Sequence, residues 1–377
     1  MKSEHQKHVK LEKPFKGKYH RNEWSIIGVK CDEIEKLVQN IAPLISGLKA
    51  GYLDASHDKS SQEKILHAEL LQSKSGFHLR SNRSFNTYNA KGMFTDLDIL
   101  FINGNHFQGN QQIVIIDETR LVKLEQRLEQ LDNIKMILLN SSDTSVPDFV
   151  TNKLGEDDVI IANIDDLVTI SATIKQITNE NRPPLYGLVL SGGRSLRMGQ
   201  DKGAINYHGK AQREYEADLL NRMCAKTFIS CRADQIDKID SKYEPIVDSF
   251  LDLGPMGGIL SAFRKHPDSA IFSLACDLPF IDEKDIEQLV QSRDISKVAT
   301  CFLNNETQFP EPLITIWEPR AYTLLLDFLA QGYSCPRKVL INSDVHLINP
   351  ISQKKIMNVN TESEGQQVKE ELKNQIS

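Results

Sequence analysis

Short apolar runs bounded by polar turns, with stretches of helical periodicity between them, recur along most of this 377-residue chain. Such alternation commits a chain to mainly parallel sheets, because parallel neighbours need a long crossover, usually a helix. Trp24–Val29 is the first run, and Ile34, Leu37, Val38, Ile41 and Leu44 behind it are spaced for one helical face. Gly51–Asp54, Leu97–Ile102, Gln112–Ile116 and Ile134–Leu139 read as further strands, with helices expected over Gln62–Gln72 and Leu121–Leu131. Val159–Ala162 and the helical Leu167–Ile177 close a first unit.

Thr178–Pro184 is polar and ends in two prolines, which reads as a linker. Leu185–Leu190 opens a second alternating unit, with Thr227–Ser230, Ala270–Ala275 and Val298–Phe302 as strands and Ile286–Val290 and Ala321–Ala330 as helices. The expected organisation is α/β in two domains: a basic tail over 1–22, a first domain over 23–177, a linker over 178–184, a second domain over 185–365, and a polar tail over 366–377.

Composition narrows the functions open to such a chain. Residues 1–21 hold seven Lys/Arg against Glu4 and Glu12, yet the whole chain carries a formal charge of −6, so a broad nucleic-acid surface is not expected. No window approaches the ~18 consecutive apolar residues of a spanning helix, and no membrane association is expected. Six dispersed cysteines without a Cys-x-x-Cys pair fit reduced thiols in a cytoplasmic protein better than a disulfide framework or a zinc knuckle.

The chemistry concentrates in Leu190-Ser-Gly-Gly-Arg-Ser-Leu-Arg-Met-Gly-Gln-Asp-Lys202. An apolar strand runs straight into Gly192-Gly193, where bare N–H groups can form an anion-binding concavity. Arg194, Arg197 and Lys202 add three cations, as a polyphosphate cradle requires. The spacing is neither G-x-x-x-x-G-K-[ST] nor G-x-G-x-x-G, which excludes a P-loop and the dinucleotide fingerprint here.

This loop resembles the signature of the MobA-type molybdenum-cofactor guanylyltransferases, within the nucleotidyltransferase superfamily. The resemblance runs from Leu185 to roughly Glu364 through Ile246-Val-Asp248, Gly254-Pro-Met-Gly-Gly258, Cys276-Asp-Leu-Pro279 and Asn358-Val-Asn-Thr361. It implies a Rossmann-like nucleotidyltransferase sheet in which the phosphate of Mo-molybdopterin attacks the α-phosphorus of GTP. The products would be molybdopterin guanine dinucleotide and pyrophosphate.

Asp277 ends the apolar run Ala270–Cys276, at the strand edge where α/β sheets bind ligands. A carboxylate facing a triphosphate needs a cation between them, so Asp277 is the expected Mg2+ ligand. Asn360 is the second oxygen by resemblance. A helix N-cap is the other use of an aspartate at 277, and a turn aspartate the other use of Asp248. The resemblance assigns catalysis to Arg197, Lys202 and Asp277. It assigns nucleotide contacts to Leu190, Ser191, Gly192, Gly193, Lys202, Ser230, Asp248 and Asp277, with Ser230 where the family usually has an Asn. Gly192-Gly193 favours GTP, since cytidine-using relatives tend to carry Ala-Gly. The acceptor pocket is expected around Phe309–Leu313 and Ser334–Lys338. Alternatives are CTP or another acceptor such as a sugar phosphate, or a non-catalytic cofactor chaperone.

The first unit faintly resembles the MobB-type GTP-binding adaptor of the same cofactor pathway. Ile26-Ile-Gly-Val-Lys-Cys-Asp-Glu33 stands where a P-loop would be, and Asp96–Gly104 echoes the second nucleotide-binding strand. Gly-Lys-[Ser/Thr] is missing, and Asp32 and Glu33 would repel a phosphate. The expectation is a P-loop-like α/β sheet without a functional P-loop. Such a sheet would serve as a scaffold for the cofactor or for maturation or insertion proteins.

Overall fold

The computed structural model describes residues 11–13, 17–55, 68–73, 76–81, 86–141, 143–155, 159–193 and 201–376. The chain divides at Asn181–Arg182 into two α/β units.

In the first unit, β1 (Asn22–Ile27) leads through a tight turn at Gly28 into α1 (Cys31–Ile41). Ile34, Leu37, Val38 and Ile41 are buried as one stripe, whereas Leu44 lies past the helix end and is 43% exposed. There follow β2 (Ala50–Leu53), the hairpin β3 (Ala68–Ser73) and β4 (Gly76–Ser81), α2 (Thr87–Met93), β5 (Ile99–Asn103) and β6 (Gln111–Ile116). Then come α3 (Leu121–Glu125), β7 (Ile134–Leu139), α4 (Asp148–Thr151), β8 (Ile160–Asn163) and α5 (Leu167–Glu180). The sheet runs β2-β5-β1-β6-β7-β8, parallel throughout. Every residue of β5 and β6 is buried, as in a sheet covered on both faces.

The second unit contains β9 (Leu185–Leu190), α6 (Gln212–Asn221), β10 (Lys226–Cys231), β11 (Glu244–Val247), α7 (Pro255–Lys265), β12 (Ala270–Ala275) and α8 (Glu283–Gln291). It continues with β13 (Ala299–Asn304), β14 (Phe309–Trp317), α9 (Arg320–Ala330), α10 (Pro336–Ile341), β15 (Val345–Ile348) and α11 (Glu362–Ile376). Strand order is β11-β10-β9-β12-β14-β13-β15, with β14 antiparallel to both neighbours. Alternate residues feed two cores. Val189, Phe272, Ile314 and Ile316 pack in one; Leu188, Phe228, Ile271 and Trp317 pack in the other.

Several local expectations are corrected. Within Gln62–Gln72, residues 68–72 are strand rather than helix, because pairing with β4 overrides local apolar spacing; 62–67 lie outside the described residues. The helix expected over Leu121–Leu131 stops at Glu125, and a 3-10 turn follows at Leu128–Gln130. The basic tail does not extend to residue 22. Buried Glu23 draws the backbone N–H groups of Lys18 and Tyr19 onto its carboxylate, and Tyr19 is buried. The linker is shorter than 178–184, since α5 continues through Glu180 with Thr178 inside. The stretch 366–377 is not a tail as far as Ile376, because α11 docks Val368 against Phe280 and Val359.

Phe272→Ala, which empties the centre of the second unit's sheet, is expected to lower unfolding free energy by about 3–5 kcal/mol. Urea unfolding followed by Trp317 fluorescence in a Trp24→Phe background measures it.

Candidate functional site

Four parallel strands of the second unit share one register. Ile246 of β11 pairs with Ser230 of β10, Ser230 with Leu190 of β9, and Leu190 with Ala275 of β12. Two residues beyond this row stand Asp248, Arg232, Gly192 and Asp277, and all four line one cleft of about 720 Å³. The cleft lies at the carboxyl ends of the strands, where the order reverses between β9 and β12, and its volume suits a small-molecule ligand.

Each member of the row is held. Arg232 Nη1 donates to the carbonyls of Gly192 and Gly193, both at 3.0 Å, while its Nε and Nη2 bond Asp234. The loop is thus gripped by its oxygens, and the Gly192 and Gly193 N–H groups make no hydrogen bond among the described residues. Asp248 accepts from Ser230 Oγ at 2.6 Å; burial pushes its carboxyl above the usual range, with Ser230 and Arg232 opposing. A Cβ on Gly192 would stand 2.6 Å from Asp248 Oδ2, so the first glycine is required by the protein's own carboxylate. One on Gly193 would meet nothing within 4 Å.

Lys202 begins a 3-10 turn capped by Asp201, which accepts from Gly203 N and is tied by Arg213 at 3.0 Å and Gln235 at 3.2 Å. Its Nζ donates to Val359 O and Asn360 Oδ1, each at 2.9 Å, and lies 3.7 Å from Asp277 Oδ2. The backbone carbonyl of Asp277 accepts from Val359 N at 2.9 Å. The Asn-Val-Asn-Thr stretch is thereby fastened to both residues.

Asp277 Oδ1 is buried without a hydrogen-bond partner. Burial raises its carboxyl, and Lys202 opposes the shift. The cap of α8 is Asp282, not Asp277. An orphaned carboxylate oxygen beside a cleft fits a divalent cation. No group of three His, Cys, Asp or Glu among the described residues could enclose one, so such an ion would share Asp277 with substrate oxygens. Asn360 Oδ1, already accepting from Lys202, has a second lone pair for that role. Burial pushes the carboxyl of Glu216 on α6 up to about 8, with the nearby Asp277 acting in the same direction and the Gln212 side chain opposing.

Leu190, Ser191, Gly192, Gly193, Lys202, Ser230, Asp248, Asp277 and Asn360 all line the cleft. Arg194 and Arg197 lie outside the described residues. Arg232 was not singled out from sequence; its signal was an arginine two residues past Ser230, the same offset as Gly192 from Leu190. At the expected acceptor pocket, Leu313 reaches the cleft, and Arg337 instead lies 3.4 Å from buried Glu311.

A glycine loop, a tethered lysine and a carboxylate oxygen without a hydrogen-bond partner meet at one switch point of an open α/β sheet, the place where this class of fold holds small ligands. Residues 187–346, within the second unit, match the family described as the MobA-like NTP transferase domain. The chain is 38% identical over 189 residues to the molybdenum cofactor biosynthesis bifunctional protein of Synechocystis sp.. That match covers 50% of this chain and 54% of the relative, so the chain spans about half of that protein's length. It is 26% identical over 166 residues to the molybdenum cofactor guanylyltransferase of Pseudomonas putida, covering 44% of this chain and 86% of that one. Molybdopterin-guanine dinucleotide biosynthesis protein A from Archaeoglobus fulgidus aligns with 50% of this chain and 99% of its own, at 23% identity and a TM-score of 0.43. No described helix is long and apolar enough to cross a membrane.

Gly192→Ala is expected to displace Asp248 and weaken nucleotide binding by roughly tenfold, the scale of one buried hydrogen bond to a charged group. Gly193→Ala is expected to leave the melting temperature unchanged. Calorimetric titration and thermal melts of the two variants compare them.

Proposed function

We propose that the second unit transfers GMP from GTP to the phosphate of Mo-molybdopterin, giving molybdopterin guanine dinucleotide and pyrophosphate. The observation that carries this reading is the shared register row, which brings the glycine loop and the orphaned oxygen of Asp277 to one cleft. The names of the Synechocystis and Pseudomonas relatives support the cofactor and the guanylyl group.

The triphosphate meets the free N–H groups of Gly192 and Gly193, with Lys202 supplying positive charge and Arg197 assigned the same task. Asp248 and Ser230 hold the wall of the cleft beside the loop. A phosphate monoester is already largely dianionic near pH 7, so the acceptor needs no general base, and no histidine lines the cleft among the described residues. Positioning and charge neutralisation then carry the reaction. Mg2+ held by Asp277 and Asn360 would neutralise charge developing on the α-phosphate. We read the first unit, which lacks Gly-Lys-[Ser/Thr], as a scaffold for the cofactor or a maturation partner rather than a P-loop GTPase.

Asp277→Ala is expected to keep the fold and lower turnover by at least ~100-fold, the effect of losing a major electrostatic stabiliser. Pyrophosphate release across four NTPs, with mass spectrometry of the products from GTP, Mg2+ and Mo-molybdopterin, tests substrate and reaction together. Near-normal turnover in the variant removes the metal assignment, and a CTP product removes the choice of GTP.

A further inference from the structure

The first unit has its own reversal of strand order. β1 lies between β5 and β6, the chain moves one way from β1 to β2 and the other way from β6 to β8, and Ile27 pairs with Val114 at the junction. In open α/β sheets, ligands bind outside the carboxyl ends of the strands at such a point. A pocket of about 180 Å³ lies there, formed by the Ile27–Val29 turn after β1, Asn105 after β5, and residues after β6 that include Arg120, Lys123 and Arg127.

Among the described residues, three cations line this pocket and no carboxylate does. None of the three makes an ion pair among the described residues, and Arg120 Nε is buried without a hydrogen-bond partner. A guanidinium N–H shut away from water without an acceptor is costly unless an anion supplies one. The walls are built: Arg127 Nη1 donates to Asn105 Oδ1 at 2.7 Å, and Asn105 Nδ2 donates to Val29 O at 3.0 Å, so one amide joins the cationic wall to the β1 turn. That turn is pressed against β6, where a Cβ on Gly28 (φ +118°) would stand 2.0 Å from Ile115 O. The volume falls below the ~300–1,000 Å³ of pockets that enclose whole small molecules.

We propose that this pocket binds a phosphate-sized oxyanion, held by the side chains of Arg120, Lys123 and Arg127 rather than by P-loop amides. The oxyanion is either free or the terminal phosphate of a larger molecule that extends out of the pocket.

Hydrogen exchange on the full chain, read by mass spectrometry with inorganic phosphate and with GMP, tests this at the segments themselves. Phosphate is expected to slow exchange in peptides spanning 27–31 and 118–127. The concentration needed is expected to rise about tenfold or more in Arg120→Gln/Arg127→Gln, the scale of losing charge-assisted hydrogen bonds. Lys123→Gln, at an exposed side chain without a hydrogen bond or ion pair among the described residues, is expected to raise it by a smaller factor, with pyrophosphate release by the second unit unchanged in both variants. Protection by phosphate and GMP alike assigns a phosphate on a larger molecule; protection by phosphate alone assigns the free ion. Absence of protection in these peptides overturns the proposal. So does protection equally strong in Lys123→Gln and in the doubly substituted chain.

Discussion

The cleft of the second unit depends on one register row across four parallel strands. Backbone pairing brings Ile246, Ser230, Leu190 and Ala275 level, and an equal overshoot of two residues then delivers an acid, a base, a glycine and a second acid to the same rim. Hydrogen bonds of the ladder set these spacings, so the site inherits the stiffness of a buried sheet. The side chains add local ties: Arg232 grips the loop carbonyls, Ser230 holds Asp248, and Asp201 anchors the turn that presents Lys202.

The two units use the same architectural opening in opposite ways. In the second, glycine N–H groups and a tethered lysine face a carboxylate oxygen that has no hydrogen-bond partner. In the first, the turn after β1 carries no Gly-Lys-[Ser/Thr], and positive charge comes from the segment after β6. Gly28 is required there by the approach of Ile115 O, whatever the turn binds.

What could be read from sequence follows the range of the interactions involved. Gly192, Lys202 and Asp277 were legible because each belongs to a short motif whose chemistry is local to its strand end. Arg232 was not, because its role is to grip carbonyls some forty residues earlier, which no local pattern encodes. The reason for Gly192 was also hidden: the space a methyl would need is filled by Asp248 of another strand. β14 and the β3–β4 hairpin escaped for a similar reason, since their antiparallel pairing depends on partners that local spacing does not name. Long buried runs such as Ala270–Ala275 were read correctly because burial on both faces leaves an uninterrupted apolar signature.

Lys202 is fastened to Val359 and Asn360, and the backbone of Asp277 to Val359, so the rim is closed by a segment 157 residues further along the chain than the lysine it holds. The four-strand row can pair without that segment, but its lysine keeps neither anchor until Val359 docks. A change that loosens Val359 would therefore unmoor the cation and leave the sheet beneath it untouched.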